Sequence, residues 1–217
     1  MSSAPAGGDR MIAVLDYGIG NLRSAQKGLE RVAGPGVEVR LAATPGAAEG
    51  ASGVVLPGVG AFGRCMEALR ASGLDAVAIG AVAAGTPFLG VCIGMQVLFE
   101  GSEEDPDVSG LGILPGKVRL LPEGVKRPQM QWNRLHLVRP ADPLFAGIDE
   151  GDWVYFVHSY APEPDVASLT ATTDYGGAVT AAVATGNVWA TQFHPEKSGT
   201  VGLRLLANFA RIATGAR

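Results

Sequence analysis

The chain has 217 residues, 47% apolar and 18% charged, with 17 basic against 21 acidic side chains and a formal charge of −4. This balance supports a folded core, excludes disorder as the main state and leaves no basic excess to neutralise a nucleic-acid backbone. No apolar run reaches the roughly 18 residues of a membrane helix, and two cysteines in this length make no disulfide scaffold.

Residues 1–10 are small and polar, without an apolar signal core, and read as a loose tail of a cytoplasmic protein. Residues 11–217 read as a single domain. Met11–Leu15 is a short apolar strand, followed by a turn at Tyr17–Gly20. Leu22, Ala25, Leu29 and Val32 then share a helical face, with Asn21 as N-cap. Val37–Leu41 and Gly53–Leu56 are strands, the second closed by Pro57-Gly-Val-Gly60. Phe62, Cys65, Met66 and Leu69 mark an amphipathic helix, Leu74–Ala84 an Ala-rich one, and Pro87–Val91 a buried strand leading to Cys92.

The second half is richer in strands, expected at 117–121, 134–138, 153–157, 169–173, 178–183 and 188–193. A last helix carries Val201, Leu205, Phe209 and Ile212 on one face. Alternating β and α followed by added strands predicts an α/β fold of three layers around an open mixed sheet. Many glycines and few aromatics suggest tight turns and a core of Ala, Val and Leu.

Gly90-Val-Cys-Ile-Gly94 is the stretch richest in chemistry. A strand runs into a cysteine with glycines two residues to either side, and a helical pattern follows. That is a nucleophile elbow with sulfur in place of oxygen. The turn strains the backbone at the nucleophile, side chains at the flanking positions would clash, and a helix start favours the thiolate. A buried core cysteine is the bland alternative, and it suits Cys65 on its apolar helix face. A thiol needs a base, and His194 ends the apolar run 188–193, where α/β sheets place their chemistry. Glu196 follows by two residues, so in an extended segment it returns to the same side and can hold the imidazole tautomer. Cys92, His194 and Glu196 thus form the candidate triad. His136 and His158 read as structural. No two histidines have ligand spacing, so no metal is expected, and no cofactor.

An acyl transfer also needs oxyanion donors. The Ile93 N–H is one, and the Gly58-Val59-Gly60 turn can supply another. Gly58-x-Gly60-x-x-Gly63 also has dinucleotide-fold spacing, but that reading requires an acid at the end of the next strand, which ends instead at Cys92. An α/β-hydrolase is disfavoured because its acid precedes the histidine.

Six segments together carry a resemblance: Asp16-Tyr-Gly-Ile-Gly-Asn21, Pro57-Gly-Val-Gly-Ala-Phe62, Gly90-Val-Cys-Ile-Gly-Met-Gln96, Met130-Gln-Trp-Asn133, Tyr155-Phe-Val-His-Ser-Tyr160 and Phe193-His-Pro-Glu-Lys-Ser198. The chain resembles the triad-type (class I) glutamine amidotransferases, which have a flavodoxin-like fold. Among them it is most similar to the glutaminase subunits of imidazole glycerol phosphate synthases of histidine biosynthesis. Met95 and the Pro57–Gly60 segment differ from the synthetase-fused and pyridoxal-phosphate-forming relatives, and Gln131 stands where the family commonly has glycine.

The resemblance implies hydrolysis of L-glutamine to glutamate and ammonia through a thioester on Cys92. It implies glutamine binding by Gln96 and Glu104, with Ser159 and Tyr160 opposite, and an oxyanion hole completed by the Val59 peptide when the partner is loaded. The partner it implies is a (β/α)8-barrel cyclase subunit in a heterodimer, fed with ammonia through a channel, with Met130, Trp132, Asn133 and Lys197 at the interface. The alternatives are a glutaminase subunit of another amidotransferase, such as a pyridoxal phosphate synthase, a thiol hydrolase or oxidative sensor, and a non-catalytic binding subunit.

Overall fold

The computed structural model describes residues 10–215. Residues 1–9 of the expected tail lie outside the described residues, whereas Arg10, counted with that tail above, opens the first strand opposite Val37. β1 (Arg10–Leu15) leads through α1 (Leu22–Glu30) to β2 (Val37–Ala42). β3 (Gly53–Gly58) is followed by α2 (Phe62–Ala71) and α3 (Leu74–Ala83), and β4 (Phe88–Cys92) runs directly into a one-turn α4 (Ile93–Gln96). The chain continues through β5 (Gly101–Ser102), β6 (Lys117–Leu120), β7 (Gln129–Arg134), β8 (His136–Leu137), β9 (Trp153–His158), β10 (Tyr160–Glu163), β11 (Leu169–Asp174), β12 (Ala178–Thr185) and β13 (Val188–Thr191). It closes with α5 (Gly199–Thr214).

Eight strands make the main sheet, in the order β2-β1-β3-β4-β13-β12-β11-β8. The first five are parallel and the last three antiparallel, so the sheet is mixed and open. From β1 the first crossover moves one way along the sheet and the connection from β3 to β4 the other. Right-handed crossovers therefore place α1 and α2–α3 on opposite faces, which gives the three expected layers. α5 joins α1 and packs so closely on β3 that a Cβ at Gly53 would lie 2.5 Å from Ala213. A small sheet, β10-β6-β5, and an antiparallel ribbon, β7-β9, stand beside the carboxyl ends of the parallel strands.

The core is less uniform than the composition suggested. All seven phenylalanines are fully buried among the Ala, Val and Leu side chains. Each contributes about 1.5–3 kcal/mol of burial energy. Among the described residues no helix is long and apolar enough to cross a membrane.

Three expectations change. The strand read at 134–138 is two pieces, β7 ending at Arg134 and the short β8, broken at Leu135, whose N–H turns to Asp152 O. β10 was not foreseen. The helix after the elbow is one turn long, so its macrodipole is slight and its use to the sulfur is limited to the first N–H groups.

Candidate active site

Cys92 is the last residue of β4 and the only non-glycine with positive φ among the described residues (φ 56°, ψ −112°). The flanking glycines are required by space. A Cβ at Gly94 would lie 1.7 Å from Leu56 O, and one at Gly90 would lie 2.7 Å from Gly94 O. The strained turn is therefore clamped between β3 and its own helix, which over-determines a conformation that L-residues avoid.

His194 follows β13 and is fixed at its backbone. Its N–H donates to Tyr155 O at 3.0 Å, and its carbonyl accepts from Ser198 Oγ at 2.6 Å. The Glu196 Oε1 accepts from the ring Nδ1 at 2.8 Å, with side chains only 3% and 6% exposed. The pair does not form in an extended segment as expected. Pro195–Lys197 is a 3-10 turn, started by the proline, that curls the carboxylate back onto the ring. Burial disfavours a charged imidazole, but the neighbouring Cys92 and Glu196 outweigh it and push the His194 pKa up to about 10. With Nδ1 engaged, Nε2 makes no hydrogen bond of its own, and Cys92 is the thiol close enough to act on the ring.

Nine of the expected residues line one cavity of about 240 Å³: Cys92, His194, Val59, Gly60, Ile93, Gln96, Glu104, Ser159 and Tyr160. Glu196 stands behind His194. This volume suits an amino acid better than a nucleotide or a drug-sized ligand. The Pro57–Gly60 turn at its wall is gripped from behind. Tyr17 Oη donates to Pro57 O at 2.9 Å and the Cys65 thiol to Val59 O at 3.4 Å. Burial keeps both donors protonated, the thiol with a pKa near 11.

The dinucleotide reading of Gly58–Gly63 fails on charge. The N-terminus of α2 is already occupied by carboxylates: Glu104 Oε2 accepts from Phe62 N–H at 2.8 Å and Asp105 Oδ2 from Gly63 N–H at 2.7 Å. Glu104 is thus half-buried and bound, not a solvated loop acid. Gln96 is likewise no surface residue. It is 1% exposed, its Nε2 donates to Tyr160 O at 2.9 Å and Gln192 Oε1 at 3.0 Å, and its Oε1 is unpartnered. Tyr160 contributes its backbone carbonyl here. His158 lines the cavity too. Burial, helped by the nearby His194, lowers its pKa to about 4 despite its hydrogen bond to Tyr160 O.

A family profile described as glutamine amidotransferase class-I matches residues 14–213. A relative named imidazole glycerol phosphate synthase subunit HisH, from Synechococcus sp. (strain JA-3-3Ab), is 53% identical over 205 residues, 93% of each chain. Another of the same name, from Syntrophotalea carbinolica, is 50% identical over 207 residues, covering 92% of this chain and 98% of its own. The chain belongs to the HisH family of class-I glutamine amidotransferases. The architecture agrees: a crystal structure of a glutamine amidotransferase superposes with a TM-score of 0.73 at 22% identity, over 94% of this chain and 99% of that one.

Sequence reasoning missed two features of this HisH-family chain. Gln192 is fully buried and reaches both Gln96 and Cys92. It sits two residues before His194 at the end of an apolar run, a position whose signal is only that a polar residue interrupts the run. The second is Trp153, 48% exposed and stacked under Arg134 with the guanidinium 5.1 Å from the ring centre. It shares the ribbon's outer face with Met130 (62%) and Trp132 (46%), so Trp132 is not core. Asn133 alternates to the other face and donates its amide to Asp174 O at 2.9 Å, whereas Lys197 is exposed beside the site.

Proposed function

We propose that this chain is the glutaminase subunit of an imidazole glycerol phosphate synthase, a single amidotransferase domain working in the cytoplasm. The observation that carries the reading is a buried His194–Glu196 pair whose free Nε2 faces a strained thiol in a cavity of amino-acid size. Cys92 Sγ, its proton already passed to His194, adds to the side-chain amide carbon of glutamine. The Ile93 N–H and an N–H of the Val59–Gly60 turn take the oxyanion. His194 then gives its proton to the departing nitrogen. The C–N bond breaks, ammonia leaves and the γ-glutamyl thioester remains. Water loses a proton to His194 and adds to the thioester, which releases glutamate and regenerates the thiol. Glu196 holds the ring orientation throughout. Gln96 Oε1, a buried acceptor without a partner, and the second oxygen of Glu104 suit the substrate ammonium, with Ser159 and Tyr160 lining the opposite wall.

Ammonia released into water protonates and is lost, so a receiving subunit is part of the reading. A barrel cyclase subunit seated on the Met130–Trp132–Trp153 face is the partner that the HisH kinship supports. The apolar character of an exposed strand face is otherwise unexplained. The test has two parts. Diazo-oxo-norleucine labels one peptide, that of Cys92, and glutamate release rises when a cyclase subunit and its nucleotide ligand are titrated in. Labelling elsewhere removes the nucleophile, and a flat titration removes the coupling.

A further inference from the structure

Gln192 has no exposed surface, and its backbone N–H is held by Ala181 O at 2.8 Å, so its side chain starts from a fixed point. The orientation of the carboxamide is set by a chain of acceptors. Tyr160 O can only accept, so Gln96 turns its Nε2 toward it at 2.9 Å. The same Nε2 donates its other hydrogen to Gln192 Oε1 at 3.0 Å. With its oxygen committed, Gln192 must present its NH2 group on the other side. There Nε2 meets Cys92 Sγ at 3.7 Å, a distance for an N–H···S hydrogen bond. Val157 O, the other recorded partner of the sulfur, is an acceptor at 4.0 Å and favours the thiol. Gln192 is the donor that favours the thiolate.

We infer that Gln192 is a catalytic residue whose side-chain N–H stabilises the Cys92 thiolate, which gives the sulfur a second source of activation besides His194. The inference rests on Cys92 being the nucleophile. Its chemistry is distinct from that of His194, because the amide never takes or gives up the proton. It holds negative charge on sulfur while the proton resides on the imidazole. It can do the same when sulfur is expelled from the thioester.

The pH profile of Cys92 alkylation tests this without turnover or a bound amino acid. The full chain is treated with iodoacetamide from pH 5 to 10, and the Cys92 and Cys65 peptides are resolved by mass spectrometry. Cys65, buried beneath the turn, is the internal reference. In Gln192→Met the Cys92 midpoint rises by about one pH unit. In the near-isosteric Gln192→Glu it rises further, because a carboxylate then faces the sulfur. A merely structural glutamine leaves the Gln192→Met midpoint where it was, and an unchanged midpoint in that folded variant overturns the proposal.

A measurement on the unaltered chain covers variants that do not fold. With 15N-glutamine labelling, the Gln192 side-chain amide resonance shifts through the Cys92 midpoint, and the shift is absent in Cys92→Ala. A resonance that ignores the titration overturns the proposal as well. Should diazo-oxo-norleucine spare Cys92, the nucleophile assignment fails first. Labelling at Cys92 with unmoved midpoints rejects Gln192 alone.

Discussion

His194 faces two partners, and each interaction can be removed separately. Glu196→Gln keeps shape and a hydrogen-bonding group but no longer fixes the productive tautomer or balances the imidazolium. It lowers kcat by about 10³- to 10⁴-fold with KM little changed, measured by steady-state glutamate release. The two buried histidines also make opposite contributions to stability. His194 holds its proton up to about pH 10 in the fold, against 6.5 for a free imidazole. The stability it adds is whole below pH 6.5 and is lost as pH rises through 10. His158, with its pKa near 4, adds stability that is whole above 6.5 and is lost as pH falls toward 4. Urea midpoints of His194→Asn and His158→Asn should converge on the unaltered chain at the alkaline and acid ends, respectively. The meeting of Cys92, His194 and Glu196 was legible in the sequence because these residue types at these spacings have few other uses. Gln192 was not, since nothing local distinguishes a buried glutamine that touches sulfur from one that faces solvent.

At the level of elements, the elbow was the most legible part, since Gly-x-Cys-x-Gly encodes a steric demand directly. Gly94→Ala drives a methyl group into the Leu56 carbonyl and is expected to cost about 3 kcal/mol in chemical denaturation. Gly60, with open space around it, lacks that clash and owes its identity to a φ of 97°. The ribbon strand β7 was misplaced for an instructive reason. Its large apolar residues, Met130 and Trp132, point to solvent, so the alternation that normally marks a core-facing strand is inverted. β10 was hidden by Pro162, a residue that argues against a central strand but is tolerated here at the edge of the small sheet. The 3-10 turn at Pro195–Lys197 escaped because a three-residue element leaves no periodicity to read.

On the scale of the whole molecule, every candidate catalytic group sits at the carboxyl end of β3, β4 or β13, three neighbours in the parallel half of the sheet. Segments more than a hundred residues apart in the chain therefore meet at one end of the sheet. The alternation of strand and helix predicted this architecture. It could not predict that the small sheet and the ribbon would stand over the same end of the sheet as the cavity, since their pairing depends on long-range contacts that no local pattern records. The ribbon also carries a built-in optical label. Of the chain's three tryptophans, Trp132 and Trp153 are about half exposed on it, and Trp189 is interior at 8%. Indole emission thus reports mainly on that one face. A protein seated there should shift the fluorescence to shorter wavelength, and Trp132→Phe combined with Trp153→Phe should silence the signal. A protein held elsewhere would leave the spectrum as it was, so a cuvette can reveal where the assembly forms.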